Sequence, residues 1–385
     1  MKKILIVSTR SPLPLFSGDR LRIFNISKNL SKKNKVDFIY TTSKENFQKK
    51  IKFFNKIILI KTNILEKMFY IIYFFMQGKP LQVGYFFSLK MKRKIEEIHE
   101  NYDCIIFHLI RSGEFLPKNF KGRKILEMTD ILSRNYFQLY KKLNFFNPLK
   151  YIYFLEKFLI EKYEKKSVKL FNYSVLVSKE DLKFFSLKNN IKNKIKIISN
   201  GSDLKKKIYK YNKNNKDIIF IGNINYLPNK IACYNFIENV MPELKNKGYK
   251  INFKIIGQTS ESLKTALSKF ENVTVLNNVK APEKFCNNAI CGISNLDIVS
   301  GVQNKILEYM QIGLPTVISQ KCFDSLNFKR NFDLLVYKNK KEFIKHIIKL
   351  KMDSNFANRI SRNCYKKIRT NYKWQDLLKK YNTLI

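Results

Sequence analysis

Short apolar runs alternate with amphipathic segments along almost the whole chain. Runs such as Ile4–Thr9 and Cys104–Leu109 have the length and the β-branched content of buried strands. In the segments between such runs, for example from Asp19 to about Lys33 and from Leu149 to Leu170, apolar residues recur every three or four positions, as they do on one face of a helix. Strands that alternate with helices predict an α/β protein whose parallel sheets are covered by helices.

This alternation occurs twice, which predicts two domains. A chain of 385 residues is longer than one typical hydrophobic core requires. The first set of elements spans residues 1–204, residues 205–216 are a lysine- and asparagine-rich linker, and the second set spans residues 217–365. Ligands of doubly wound sheets bind beyond the carboxyl ends of the strands, so the cleft between two such domains is the expected site.

Residues 301–318, GVQNKILEYMQIGLPTVI, form the most informative stretch of the second domain. The pattern predicts a short helix that carries Lys305 and Glu308 on its first turns, followed by a strand from Thr316. A lysine at a helix start favours binding of a phosphate, and the glutamate can accept the two hydroxyls of a ribose. An ordinary surface helix with its apolar residues packed inward is the alternative.

The same stretch resembles the donor-nucleotide segment of the family 4 glycosyltransferases, in which a Glu-x-Met run precedes Gly-x-Pro and an apolar strand. Within that family it is most similar to bacterial sugar transferases linked to exopolysaccharide and exosortase gene systems, which share the Gly-Val-Gln-Asn-Lys run. The resemblance implies a GT-B fold with two Rossmann-like, doubly wound parallel-sheet domains facing a cleft. It also implies that a helix over residues 366–385 crosses back to the first domain.

The first loop, SPLPLFSGDRLR, matches the Ser-Gly-Asp-x-x-Arg run of that subfamily. Gly18 permits a tight turn and Asp19 can cap the following helix, next to Arg20. The resemblance implies that Gly18 contacts the donor, and that Asp19 and Arg20 contact the acceptor or a phosphate. A plain helix cap with exposed arginines is the alternative.

Two further segments end strands of the first domain. His108 resembles the family histidine that lies beside the donor sugar, and Arg111 matches the subfamily as an acceptor or phosphate contact. Asp130 follows another strand in an acid-x-x-Asp-x-x-Ser pattern, and we expect it to orient the acceptor hydroxyl or to hold His108. A hydrogen-bonded histidine at a strand edge and a helix cap at Asp130 are the alternatives.

The chain departs from the family pattern at two positions. Asn223 stands where most members have an arginine that grips the diphosphate, and Ser300 stands where many have a second glutamate. The departures leave the donor contacts to Lys305 and Glu308, with Asn304, Asn223 and Ser300 as further donor-binding candidates. No Asp-x-Asp occurs in the sequence, and we therefore expect a transferase that needs neither a metal nor a cofactor.

Composition adds a formal net charge of +44, with 45% hydrophobic residues. Compositional drift explains such a charge, and so does attraction to an anionic membrane surface. No motif supports nucleic-acid binding. The six cysteines are scattered, and no apolar run reaches the roughly 20 residues of a membrane span, so we expect a cytoplasmic protein at the inner face of the membrane.

Together these features predict a retaining, metal-independent glycosyltransferase for cell-surface polysaccharide synthesis. It would use a nucleotide-diphosphate sugar as donor and a saccharide or a lipid-linked glycan as acceptor. A GT-B sugar-nucleotide epimerase, a phosphorylase and a non-catalytic sugar-nucleotide-binding protein are the alternatives.

Overall fold

The computed structural model describes residues 1–15, 17–43, 51–185 and 189–385, which divide into two units. Unit 1 comprises Met1–Leu15, Asp19–Ser199 and Leu378–Ile385. Unit 2 comprises Asn200–Leu377 together with Gly18. Each unit is built around one parallel sheet, so the predicted α/β class is confirmed.

Unit 1 contains, in its described residues, a seven-stranded parallel sheet in the order β3-β2-β1-β4-β5-β6-β7. The central strands are apolar runs buried on both faces, as parallel strands covered by helices require. The strands are β1 (Lys3–Ser8), β2 (Lys35–Thr42), β3 (Lys56–Lys61), β4 (Cys104–His108), β5 (Arg123–Thr129), β6 (Tyr173–Leu176) and β7 (Ile195–Ile197).

The helices of unit 1 follow the strands in the expected alternation. They are α1 (Gly18–Leu30), α2 (Ile64–Met76), α3 (Leu81–Phe86), α4 (Leu89–Ile98), α5 (Leu132–Lys142), α6 (Leu149–Leu170), α7 (Lys179–Phe184) and α8 (Asn189–Lys192). Helix α6 has the predicted bounds, whereas α3 and α5 were not predicted as helices. Short 3-10 helices occur at His99–Asn101 and Ile110–Phe115.

Unit 2 contains, among the residues described, a six-stranded parallel sheet in the order β10-β9-β8-β11-β12-β13. Its strands are β8 (Asp217–Ile221), β9 (Asn252–Gly257), β10 (Val273–Asn277), β11 (Ala289–Ser294), β12 (Thr316–Ser319) and β13 (Leu335–Tyr337). Its helices are α9 (Leu227–Asn239), α10 (Met241–Asn246), α11 (Glu261–Ser268), α12 (Asn304–Met310), α13 (Gln320–Phe323), α14 (Lys340–Met352), α15 (Ser354–Asn371) and α16 (Trp374–Leu378). A further 3-10 helix of unit 2 occurs at Pro282–Phe285, whereas the one at Lys379–Thr383 belongs to unit 1.

Both strand orders reverse direction once, and the reversal marks where a ligand is expected. In unit 1 successive strands are added on one side of β1 and then on the other side, starting with β4. In unit 2 the same order holds with β8 in the place of β1 and β11 in the place of β4. Doubly wound sheets bind ligands at the carboxyl ends of the strands at this switch point. Within each unit, the residues that directly follow these strands, β1 and β4 or β8 and β11, are therefore expected to contact a ligand.

The last residues of the chain pack on unit 1. The carbonyl of Leu378 accepts a hydrogen bond from Asn29 Nδ2 at 3.3 Å, and the carbonyl of Ile385 accepts one from Lys2 Nζ at 2.9 Å. Among the described residues, no helix combines the length and the apolar character that crossing a membrane requires. The six cysteines are all buried and free.

Candidate functional site

Lys305 is the central charged side chain at the switch point of unit 2. It is the second residue of α12, it is only 6% exposed, and its Nζ donates a hydrogen bond to Asn229 Oδ1 at 2.7 Å. The same amine lies 3.7 Å from the centroid of the Phe220 ring, a cation–π contact. Burial lowers the pKa of Lys305 to about 8. Within the described residues no carboxylate forms an ion pair with it.

The loop after β8 positions this lysine. Asn229 lies in the first turn of α9, and its Nδ2 donates to the carbonyl of Asn223 at 2.8 Å. A Cβ added at Gly222 would lie 3.1 Å from Asn229 Nδ2 and 3.4 Å from Lys305 Nζ. Glycine at this position therefore lets the lysine amine approach the backbone just beyond the end of β8.

Glu308 follows one turn after Lys305 on α12. Its side chain is half-buried, and burial raises the pKa of the carboxyl, while the nearby Lys205 and Lys305 act in the opposite direction. Lys205 is itself bonded to Glu283 at 2.7 Å. Unit 2 thus holds an acidic and a basic group one helical turn apart, as the sequence predicted.

Tyr309 anchors α12 to the sheet, a role that the sequence analysis missed. Its hydroxyl accepts a hydrogen bond from Ile221 N at 2.7 Å and donates one to Ile293 O at 3.1 Å. The ring is fully buried and lies directly against Gly292, where a Cβ would overlap it. A single phenol therefore fixes β8, β11 and α12 relative to one another.

The other predicted donor residues brace the loops around α12. Asn304 Oδ1 accepts from Asn200 Nδ2 at 2.8 Å, and the carbonyl of Ser300 accepts from Gln303 Nε2 at 3.1 Å. Asn223 Oδ1 accepts from the backbone N–H of Asn225 at 3.1 Å. These three acceptor groups fix the conformation of the segments next to Lys305.

The turn that begins at Asn200 also holds the end of unit 2. Gly201 lies against Trp374, because an added Cβ would be 2.8 Å from the Trp374 backbone nitrogen. The Ser202 N–H donates to Tyr372 O at 2.6 Å, and its hydroxyl donates to Gln311 Oε1, also at 2.6 Å. The turn therefore links α12, through Gln311 at its end, to the region around α16.

His108 lies at the switch point of unit 1. The sheet register pairs it with Ser8 of β1, and its Nδ1 lies 3.4 Å from Ser8 Oγ. Burial is the main cause that lowers the pKa of His108 to about 3. Asp19 acts in the opposite direction, and three arginines, of which Arg111 has the largest effect, add to the lowering of the pKa. The imidazole is therefore neutral near pH 7, and its buried Nε2 has no hydrogen-bond partner among the described residues.

The backbone leaves β4 and β5 in unusual conformations. Leu109 has a φ of 68° and Thr129 a φ of 70°, the left-handed region that side chains with a Cβ rarely adopt. Leu109 directly follows His108, which pairs with Glu127 of β5. Thr129 is the last residue of β5, just after a shift in its register with β6. Such strain concentrates at functional sites, and here it flanks His108 and precedes Asp130.

Glu127 forms a buried ion pair with Arg22. Arg22 Nε and Nη2 donate to the two carboxylate oxygens at 2.7 and 3.1 Å, and both side chains are inaccessible to solvent. Exposed arginines after Gly18 were the alternative interpretation of this loop, and burial of Arg22 excludes that alternative for Arg22. The pair ties α1 to β5, and its two residues are 105 positions apart in the chain.

Arg111 belongs to a basic cluster at the end of β1. Its Nε donates to Thr9 Oγ1 at 2.8 Å, and its guanidinium lies 4.0 Å from the Phe86 centroid. Arg10 contacts the same ring at 5.2 Å and pairs with Asp19 at 3.3 Å. Buried Arg111 Nη2 has no hydrogen-bond partner in the described part of the chain.

The remaining predicted residues of the first loop and of β5 lie around this cluster. Gly18 is the first residue of α1, followed by Asp19 and by Arg20, whose Nη1 donates to the carbonyls of Leu13 and Pro14 at 3.4 Å. Asp130 is half-buried just beyond β5, and its charge raises the pKa of Arg111 against the larger effect of burial. The hydrogen-bond partner of His108 is Ser8, not Asp130.

Comparison with protein families identifies the domain in unit 2. Residues 215–353 match the family model described as "Glycosyl transferases group 1". Residues 215–353 therefore form a group 1 glycosyltransferase domain. The resemblance inferred from the motif at residues 301–318 is therefore confirmed, and no curated protein matches this glycosyltransferase in sequence.

Solved structures show that the glycosyltransferase has the predicted GT-B fold. The chain is similar to sucrose-phosphate synthase from Thermosynechococcus elongatus, with a TM-score of 0.72, 10% identity and coverage of 100% of this chain and 98% of that one. HepE from Anabaena, in complex with UDP-glucose, has a TM-score of 0.67 and 13% identity, with coverage of 100% of this chain and 99% of that one. An S. aureus TarM mutant, in complex with fondaparinux, α-GlcNAc-glycerol and UDP, has a TM-score of 0.69 and 13% identity, with coverage of 100% of this chain and 99% of that one.

Proposed function

We propose that this glycosyltransferase moves a sugar from a nucleotide-diphosphate donor bound by unit 2. The observation that carries the proposal is the buried ammonium of Lys305 beside the backbone of Gly222. A buried cation without an ion-pair partner is unfavourable, which is why its pKa is lowered. A diphosphate at this switch point would supply the missing negative charge and would raise that pKa again.

Glu308 takes the ribose in this proposal. Its half-buried carboxylate follows Lys305 by one turn, and a carboxylate can accept hydrogen bonds from two hydroxyls. Burial raises the pKa of Glu308, and the charges of Lys205 and Lys305 partly oppose that effect. Asn223, Ser300 and Asn304 complete the donor site through the loops that they brace.

The polar groups of unit 1 serve the sugar and the acceptor. His108 is neutral, so it acts as a hydrogen-bond partner of the donor sugar and not as a cation. Asp130 orients the acceptor hydroxyl. Gly18 contacts the donor, while Asp19, Arg20 and Arg111 contact the acceptor or a phosphate. The acceptor is a saccharide or a lipid-linked glycan of cell-surface polysaccharide synthesis.

The reaction retains the anomeric configuration and needs no metal. Lys305 neutralises the diphosphate leaving group, the task that a divalent ion performs in enzymes with an Asp-x-Asp motif. Activity in excess EDTA equal to untreated activity supports this part of the proposal, and loss of activity that Mg²⁺ restores contradicts it. The coupling constant of the product's anomeric proton, measured by NMR, tests retention.

The first experiment is a thermal-shift panel of UDP-, GDP-, ADP- and CDP-sugars. UDP-glucose comes first, because HepE was solved in complex with it. A ligand at 100 times its Kd stabilises the protein by about 2.7 kcal/mol. We expect Glu308→Ala to abolish the shift and the control Glu238→Ala, on the exposed face of α9, to keep it. A shift that survives Glu308→Ala contradicts the ribose assignment.

Turnover separates binding from chemistry. We expect His108→Ala to keep the thermal shift with the donor and to lose transfer to an acceptor, because the imidazole acts on the sugar and not on the nucleotide. A variant that loses the shift as well contradicts this division of roles. Release of free nucleotide by the wild type without any acceptor-bound product favours hydrolysis or epimerisation over transfer.

We also place the enzyme at the cytoplasmic face of the membrane, where lipid-linked acceptors reside. The net charge of +44 supports attraction to anionic lipids, at about 1 kcal/mol for each basic residue near the surface.

A further inference from the structure

Helix α2 of unit 1 exposes an apolar face that no described part of the chain covers. Eight of its 13 residues are large, apolar and exposed, with Leu65 at 74% and Met76 at 82%. The eight are Ile64, Leu65, Met68, Phe69, Ile72, Tyr73, Phe75 and Met76. Contiguous apolar surfaces of this kind mark sites of interaction with proteins, membranes or ligands.

The opposite side of α2 is firmly packed, so the exposed face belongs to an ordered helix. Phe74 is buried, and its ring lies 4.9 Å from that of Phe87, which also contacts Tyr70 at 4.6 Å. Gly84 of α3 lies directly against the backbone of Tyr70 and Ile71, where any Cβ would overlap. Unit 1 therefore presents the apolar face on a fixed support.

A cavity of about 380 Å³ lies next to this helix, entirely within unit 1. Its charged lining is basic, from Arg10, Arg20 and Lys67, and threonine hydroxyls, among them that of Thr62, add hydrogen-bond donors. No carboxylate is among the described residues that line it. Asp19, outside the lining, pairs with Arg10 at 3.3 Å, which leaves Lys67 as the cation of the cavity without a carboxylate partner in the part of the chain that the structure describes. Guanidinium, ammonium and hydroxyl groups are those that bind phosphate.

Helix α2 joins the cavity to the apolar face. Lys67 lines the cavity and lies 5.0 Å from the Tyr85 ring, which lines it too. The next residue, Met68, is 56% exposed on the apolar face. An anionic group in the cavity would therefore lie beside a surface that accommodates hydrocarbon.

We propose that the cavity binds the phosphate of a lipid-linked acceptor while the exposed face of α2 rests in an anionic bilayer. The inference rests on the proposed function, because it assigns the acceptor of that reaction. Charge favours a bilayer over another protein as the occupant. Lys61 precedes α2 and Lys67 lies within it, in a chain with a net charge of +44.

Calorimetry with farnesyl phosphate, farnesol and inorganic phosphate tests the cavity. We expect the full-length protein to bind farnesyl phosphate more tightly than either of the other two, which carry one half of the ligand each. Lys67→Met should weaken binding of farnesyl phosphate by about tenfold, and the control Lys90→Met, on the exposed side of α4, should not. Equal binding of inorganic phosphate, or equal affinity of both variants, overturns the assignment.

Co-sedimentation with vesicles tests the helix. We expect Phe69→Ser with Ile72→Ser to reduce binding to phosphatidylglycerol-containing vesicles by at least tenfold. The control, Phe332→Ser with Met352→Ser, replaces similarly exposed residues of unit 2 and should bind as the wild type does. A protein that ignores the vesicles, or whose α2 variant changes only the oligomeric mass, overturns the lipid assignment.

A negative result in these two experiments can be distinguished from a failure of the proposed function. In the proposed function Lys305 and Glu308 bind the UDP-sugar, and none of the variants of the cavity or of α2 alters either residue. A protein that binds UDP-glucose but not farnesyl phosphate or vesicles keeps its proposed function and loses this inference. A protein that binds farnesyl phosphate and no nucleotide sugar keeps the cavity as an amphiphile site and loses the transferase donor assignment.

Discussion

The two units place positive charge at their switch points in different ways. In unit 2 a single lysine, Lys305, is buried against an amide and an aromatic ring without an ion-pair partner in the described structure. In unit 1 Arg10 and Arg111 share the Phe86 ring, and Arg10 pairs with Asp19. The first arrangement lacks a counter-charge that a ligand can supply, whereas the second is partly neutralised before any ligand arrives.

The outer surfaces differ as well. Of the 28 exposed large hydrophobic side chains among the described residues, 22 belong to unit 1 and six to unit 2. The family model covers unit 2, where the surface is ordinary. The difference is the one expected if, as we propose, unit 2 binds the nucleotide and unit 1 selects the acceptor and its location.

Removing a buried charge should cost much more stability in unit 1 than in unit 2. Arg22→Met leaves the inaccessible carboxylate of Glu127 unpaired, and we expect it to lower the free energy of unfolding by about 3–5 kcal/mol. Lys305→Met should change that free energy by less than about 1 kcal/mol, because relief of the buried charge offsets the lost bond to Asn229. Urea unfolding measures both.

A double variant provides the control for Arg22. Replacing both partners, in Arg22→Met with Glu127→Leu, removes the unpaired charge and should recover most of the lost stability. If Arg22→Met alone were as stable as the wild type, the buried pair would not hold α1 to β5 as we infer.

The second prediction concerns the anchor of α12. Tyr309→Phe keeps the ring but leaves the buried Ile221 N–H and Ile293 C=O without their partner. We expect a loss of about 2 kcal/mol in unfolding free energy and weaker binding of UDP, because α12 carries Lys305 and Glu308. Unchanged stability together with unchanged UDP affinity would show that the hydroxyl does not position the site.

The third prediction concerns the room beside Lys305. Gly222→Ala adds a Cβ at 3.1 Å from Asn229 Nδ2 and 3.4 Å from Lys305 Nζ, so the amide must shift by a few tenths of an ångström. We expect UDP affinity to fall by about tenfold or less, with unfolding free energy changed by under about 1 kcal/mol. Gly248→Ala adds a Cβ to open space and should leave UDP affinity unchanged.

Periodicity was enough to predict most of the fold, because buried parallel strands are apolar runs that need only local sequence to be detected. Helix α6 has the predicted ends at Leu149 and Leu170. Helix α5 was not assigned, because the pattern after β5 was interpreted as a site motif, with a helix cap at Asp130 as the alternative. The strained conformations of Leu109 and Thr129 could not be predicted, because positive φ at residues with a Cβ has no compositional signal.

In the candidate site, too, local contacts could be predicted from the sequence and long-range contacts could not. Lys305 and Glu308 are three positions apart, so helix geometry alone brings them onto consecutive turns. The partners Arg22 and Glu127 are 105 positions apart, and the hydroxyl of Tyr309 reaches a residue 88 positions away. Such contacts depend on strand order and register, which local patterns do not contain. A glutamate inside the apolar run of β5 requires a buried partner, and that is the sequence signal that could have suggested the first contact.

The central claim, that Lys305 binds the diphosphate as a cation, predicts a specific dependence on pH. The pKa of Lys305 is lowered from its usual value near 10.5 to about 8, so the free protein loses this charge as the pH rises past 8, whereas a bound diphosphate retains it. Calorimetry of UDP binding at pH 7.5 and 9.0 should show roughly a tenfold loss of affinity for the wild type and for Lys230→Met, an exposed neighbour. Lys305→Met should bind weakly and equally at both pH values, which also controls for titration of the nucleotide; a variant that keeps both the wild-type affinity and its pH dependence contradicts the account.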